Sequence, residues 1–126
     1  MITTKSAPKP GEGVWLWLIK IISGGLIIIF LVTHFIVNHL SGTAEGGLLT
    51  FREIIQFYTS PAYLVLEILF LITVVSHALI GFRGVILDLN PARSAMTVID
   101  WLLVILGVGS VVYGVWLVLT IAAQAA

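Results

Sequence analysis

Three long apolar stretches, residues 14–40, 62–87 and 95–123, constrain this chain more than any other feature. Each exceeds the roughly 20 mainly apolar residues needed to cross a bilayer as a helix. Hydrocarbon offers no partner to a backbone N–H or C=O, so such stretches close their own hydrogen bonds by becoming helical. The expected fold class is therefore all-α, a membrane protein of three transmembrane helices forming one domain over 14–126. Composition agrees. Only 10% of the 126 residues are charged, against about 25% in soluble domains. Six Lys plus Arg balance six Asp plus Glu, which leaves no basic field for nucleic acid. The absence of cysteine excludes disulfides, thiolate metal sites and covalent haem attachment through Cys-x-x-Cys-His.

Residues 1–13 are polar and hold Pro8, Pro10, Gly11 and Gly13, and read as a disordered cytoplasmic tail. The apolar stretch that follows is too long for a signal-peptide core and has no early small-residue cleavage site, so it is expected to be retained. A tail without Arg does not support a mitochondrial transit peptide. Trp15 and Trp17 are interfacial anchors for the first span, and Lys20 can snorkel to the headgroups.

The connection 41–61 begins with Ser41, Gly42, Gly46 and Gly47, then places Leu48, Phe51, Ile54, Ile55 and Tyr58 at helical spacing. It reads as a short helix lying in the membrane interface. Ser60 and Pro61 supply an N-cap and a first-turn proline for the second span. The tight connection 88–93 makes the second and third spans antiparallel neighbours. Lys5, Lys9, Lys20, Arg83 and Arg93 flank one side of the membrane, and only Arg52 the other. By the positive-inside rule the N-terminus is cytoplasmic and the C-terminus outside. The expected location is a bacterial or archaeal cytoplasmic membrane.

Ionisable and strongly polar residues in a span mark sites by default, and here they are His34, Asn38, Glu67, His77 and Arg83. Glu67, one turn or so into the second span, reads as an interfacial or helix-packing residue. His39 ends the first span and reads as solvated or interfacial. It stands about 140° around the helix from His34, so the two cannot serve one ligand. Taking Lys20 and Arg83 as markers of the cytoplasmic interface, His34 is about 21 Å deep and His77 about 9 Å deep. A single intramembrane histidine can be explained by a bond to a neighbouring helix worth about 1 kcal/mol. Two at separate depths favour metal ligation, because neutral imidazole holds haem iron without burying net charge.

The surroundings of His77 suit a flat ligand. Gly81 and Gly84 share its face and leave room beside the backbone, and Arg83 lies where a guanidinium can meet a propionate. Asp88 returns to the same face at the membrane surface. Asn38 shares the face of His34, and Ser23, Gly24 and Gly25 form a small-residue patch. Tight helix packing alone would also explain these glycines.

At His-Ala-Leu-Ile-Gly-Phe-Arg-Gly-Val-Ile-Leu-Asp (77–88) the sequence resembles the membrane-anchor subunits of succinate dehydrogenase, respiratory complex II. Those anchors are three-helix chains whose second helix ends in His-x-x-x-Gly-x-x-x-x-x-x-Asp, often with Arg two residues after the Gly. The element His-Phe-Ile-Val-Asn-His-Leu (34–40) resembles the first helix of members that hold two haems, and Val-Tyr-Gly-Val-Trp (112–116) is similar to the D-type anchor. The resemblance implies that His77 ligates a proximal haem b and His34 a distal one. It also implies that Arg83, Gly81 and Ser23 lie beside haem, with Asp88 and Lys20 near quinone. It further implies a second, C-type anchor sharing each haem, an iron–sulfur subunit and a flavoprotein subunit. Such a chain catalyses nothing alone and passes electrons within a succinate:quinone oxidoreductase.

Two departures from the family pattern are visible. The C-type His-Arg-x-Ser/Thr-Gly element is replaced by Lys20-Ile-Ile-Ser23-Gly24. Leu89 follows Asp88 where many D-type anchors carry a quinone-bonding Tyr. A fumarate reductase anchor has the same architecture. The rival from another class is a non-redox scaffold or transporter subunit, but neither discontinuous helices nor internal repeats are present to suggest transport.

Overall fold

A computed structural model describes residues 9–125. The helices are α1 (Val14–Leu40), α2 (Phe51–Tyr58), α3 (Pro61–Asp88) and α4 (Arg93–Ala123), with a 3-10 turn at Glu45–Gly47 and no strand among the described residues. α1, α3 and α4 are each long and apolar enough to cross a membrane. α3 starts on Pro61, whose fixed φ suits a first helical position. Ser60 stands before it as the N-cap residue, though its side chain makes no capping bond. The link to α4 turns through Asn90 at φ 50°, a left-handed conformation that Asn tolerates better than most residues.

α3 is the central helix, packed on α1 along one side and α4 along the other. The interior inverts that of a soluble protein. The buried residues of the three spans are Ser23, Glu67, Gly84 and Met96, while large apolar side chains such as Ile28, Val85 and Ile105 point outward. Lipid tails are as apolar as leucine, so spans associate through close packing and polar contacts. α4 shows the packing device: a Cβ on Gly107 would come within 2.7 Å of Leu79 Cδ1, and one on Gly114 within 2.5 Å of Leu71 Cδ2. These glycines are the holes into which α3 leucines fit.

Pairs across α1 and α3 share one antiparallel register. Phe30 meets Phe70, Ser23 meets His77, His34 meets Glu67 and Asn38 meets Tyr63. In every pair the residue numbers add to 100 or 101.

The connection from α1 reverses through Gly46 and Gly47, at φ 76° and 79°, where a side chain would be strained. α2 then lies against α3 and α4 at the end opposite the lysines. Thr50 opens α2 with a capping box: its backbone N–H donates to Glu53 Oε2 at 2.7 Å and its hydroxyl accepts from the Glu53 N–H at 3.4 Å. That backbone bond, more than any other contact, holds the Glu53 carboxyl below its ordinary range. The interfacial helix is thus shorter than the apolar pattern suggests, because the cap at Thr50 places Leu48 outside it.

The expected tail divides. Residues 1–8 lie outside the described residues. Lys9–Gly13 form a turn closed by the Glu12 N–H donating to the Lys9 carbonyl at 2.9 Å. The turn is strapped down at two points: the Lys9 ammonium meets Asp88 at 2.6 Å, and Glu12, 8% exposed, pairs with Lys20. The hydrogen bond from Lys20 holds the Glu12 carboxyl below its ordinary value of 4.5, against the opposing effect of burial. A carboxyl lowered on folding contributes stability that is present above its unfolded value and is lost as pH falls through the lowered folded value. The strap should therefore stay closed at neutral pH and loosen only below about pH 4.5. Hydrogen exchange of residues 9–13 should show this protection, and Glu12→Gln should weaken it at neutral pH and lose its effect in acid, where the wild-type carboxyl is itself protonated.

Candidate functional site

Two histidine clusters lie between α1 and α3 at different depths. In the first, nearer the lysines, His77 Nδ1 stands 3.2 Å from the Lys20 carbonyl oxygen and 3.0 Å from Ser23 Oγ. A carbonyl only accepts, so Nδ1 carries the proton and the Nε2 lone pair is left free. The Ser23 hydroxyl can itself donate to the Lys20 carbonyl at 3.1 Å. Ser23, buried, and Gly24 let the ring approach α1: a Cβ on Gly24 would meet His77 Cε1 at 3.3 Å. The small-residue patch therefore seats this imidazole, with Gly25 facing open space. Gly81, one turn along α3, also has open space where a side chain would be. Nδ1 held by a backbone carbonyl with Nε2 free is a common arrangement for a metal-ligating histidine.

The other residues expected near His77 have protein partners. Arg83 reaches across to Asp100 on α4, its Nε donating to Oδ1 at 2.7 Å and its Nη2 to Oδ2 at 3.1 Å. This two-pronged pair commits the guanidinium that the spacing suggested for a propionate. Asp88 takes the Lys9 ammonium. Lys20 pairs with Glu12, and Gly84 faces it: a Cβ there would lie 3.9 Å from Lys20 Nζ. Gly84 thus makes room for a lysine side chain. Beside this end, an apolar groove of about 560 Å³ runs between α3 and α4 with Leu16 of α1 at its edge, lined among others by Ile80, Val104 and Val108, with Arg83 and Asp100 in its wall. Neither histidine lines it.

In the second cluster His34 Nδ1 lies 2.8 Å from Glu67 Oε1. Phe70 covers the imidazole at 5.2 Å between ring centres. The Asn38 amide donates to the His34 carbonyl and to the Tyr63 hydroxyl, both at 2.9 Å. Tyr58 packs edge-on against Tyr63, and burial, helped by the charge on Glu67, pushes the Tyr58 phenol up. Glu67 is 7% exposed and joins α3 to α1 through His34, so of the two roles its position in the sequence suggested it takes helix packing and not the interface. His39 is exposed and rests on Phe35, in keeping with an interfacial side chain.

Sequence reasoning missed Asp100 and the pairing of Glu67 with His34. A signal existed for both. His34 lies six residues before the end of α1 and Glu67 six after the start of α3, which puts both at about 9 Å depth on antiparallel helices. Asp100 is the acidic residue within the third apolar stretch, at nearly the depth of Arg83.

Three long apolar helices, joined by polar contacts around two half-buried imidazoles, define a multi-pass membrane subunit. Residues 4–115 match the family described as succinate dehydrogenase/fumarate reductase transmembrane subunit, and the chain belongs to that family. It is 31% identical over 111 residues to the succinate dehydrogenase hydrophobic membrane anchor subunit of Archaeoglobus fulgidus, an alignment that covers 83% of this chain and 87% of the relative. No solved structure matches. As a member, the chain is a multi-pass membrane-anchor subunit.

Proposed function

We propose that this chain is the D-type anchor of a succinate:quinone oxidoreductase, holding haem b jointly with a second anchor subunit. His77 Nε2 would ligate the haem nearer the lysine-rich end, and His34 Nε2 the haem toward the α2 end. One observation carries the reading: each imidazole spends Nδ1 on an acceptor from the other helix and keeps Nε2 for an iron. Depth supports two groups and not one, since the histidines stand about 12 Å apart along the membrane normal. Open space at Gly81 suits a macrocycle edge beside His77. When bound, the haems would supply one-electron carriers of fixed position. This chain's own contribution is to orient two imidazoles and to shield them within the bilayer.

The lysine-rich end, with Lys9, Lys20, Arg83 and Arg93, would face the cytoplasm and dock the iron–sulfur and flavoprotein subunits. Electrons from succinate would pass through the iron–sulfur subunit to membrane quinone near this end, with Asp88 and Lys20 in its vicinity. The membrane would be that of a bacterium or archaeon. The same parts would serve a fumarate reductase, and the succinate dehydrogenase relative favours the oxidative direction.

Pyridine haemochrome analysis of the purified complex tests the reading. Two haems b per complex are expected. One per complex would leave His34 as a packing residue, and a complex without Soret absorption would make the chain a non-redox scaffold.

A further inference from the structure

Glu67 has figured so far only as the acceptor beside His34, yet a carboxylate in a span is costly and needs a further reason. Its side chain is 8% exposed and its Oε1 lies 2.8 Å from His34 Nδ1. The Asn38 amide nitrogen also lies near Nδ1, at 3.2 Å. Its two hydrogens are taken by the His34 carbonyl and the Tyr63 hydroxyl, because a primary amide has only two to give. Nδ1 is therefore the donor and Glu67 its acceptor. The two histidines are held differently: His77 by a neutral carbonyl and a hydroxyl, His34 by a carboxylate.

We infer that Glu67 is a positioning residue for His34, fixing its Nδ1–H tautomer and ring orientation and making Nε2 a stronger donor to the iron it binds. The inference rests on the haem-ligand reading of His34. A carboxylate acceptor raises the basicity of a ligating imidazole, and loss of such a partner commonly weakens metal affinity about 10–100-fold. A more basic ligand favours the oxidised iron, so the carboxylate holds the potential of that haem down. Asn38, tied to Tyr63, and Phe70 against the ring further restrict the imidazole.

The test is an optical redox titration of the purified complex carrying Glu67→Gln or Glu67→Leu, with His34→Ala as reference. Gln keeps an oxygen acceptor and removes the charge: both haems should remain, and only the one assigned to His34 should shift its midpoint upward. Leu removes the acceptor, so that haem should be depleted while the other is retained. A merely structural role for Glu67 would leave the midpoint in the Gln variant unmoved. Wild-type midpoints and haem content in both variants, with one haem lost in His34→Ala, would overturn the positioning role alone. Full haem content in His34→Ala would overturn the ligand assignment and this inference with it.

Discussion

In the assembled complex, His77→Ala should abolish one of two haem b signals and leave the other near full amplitude, and His34→Ala should do the reverse. Alanine removes the only atom each side chain can offer to iron, so the expected loss at each site is nearly complete. The sites are independent because the imidazoles are about 12 Å apart in depth and share no hydrogen-bond partner. The variants differ in what they leave behind. His77→Ala frees a backbone carbonyl and a hydroxyl, and Ser23 can donate to Lys20 by itself. His34→Ala strands Glu67 in the interior, and an unsatisfied buried acceptor costs about 1–3 kcal/mol, more if charged. His34→Ala should therefore also lower the yield of assembled complex, and reduced-minus-oxidised spectra should be normalised to the protein recovered.

Asp100→Ala should be the most destabilising change away from the histidines. Removing one partner of a fully buried ion pair costs about 3–5 kcal/mol, because the other charge is left without compensation. Here the Asp100 side chain is 41% exposed and Arg83 17%, and Arg83 is close enough to the helix end to reach headgroups. We expect roughly half that penalty, about 2 kcal/mol. The pair is also a polar clasp between α3 and α4, whose other contacts include leucines seated on glycines. The thermal midpoint of the complex in detergent should fall in Asp100→Ala and in Arg83→Leu, and much of the loss should be recovered when both are replaced by leucine. Equal stability of the single variants and wild type would show that the clasp contributes nothing.

Much of this molecule is written in its apolar runs. The ends of α1, α3 and α4 follow from hydropathy because length and charge alone decide where a helix can remain in lipid. Sequence also gives depth, since rise per residue is constant, and so separates His34 from His77. Azimuth is harder to read. Which face of α1 meets α3 depends on packing among nearly uniform apolar helices, where no polar stripe marks the inside. Glu67 could thus be placed at a depth but not against His34, and Arg83 at the helix end but not on Asp100. The turn at Lys9–Gly13 is less legible still. It has no periodicity, and its order comes from Lys20 and Asp88, distant in sequence, meeting it at the same end of the bundle.

The most direct test of the central claim is cavity rescue at His77. A His77→Gly complex should lack the low-spin spectrum of the haem nearer the lysine-rich end, and added imidazole should restore it by occupying the vacated space and ligating the iron. A low-spin spectrum of both haems in His77→Gly without imidazole would contradict the assignment, because an axial ligand cannot be removed without changing the iron it binds.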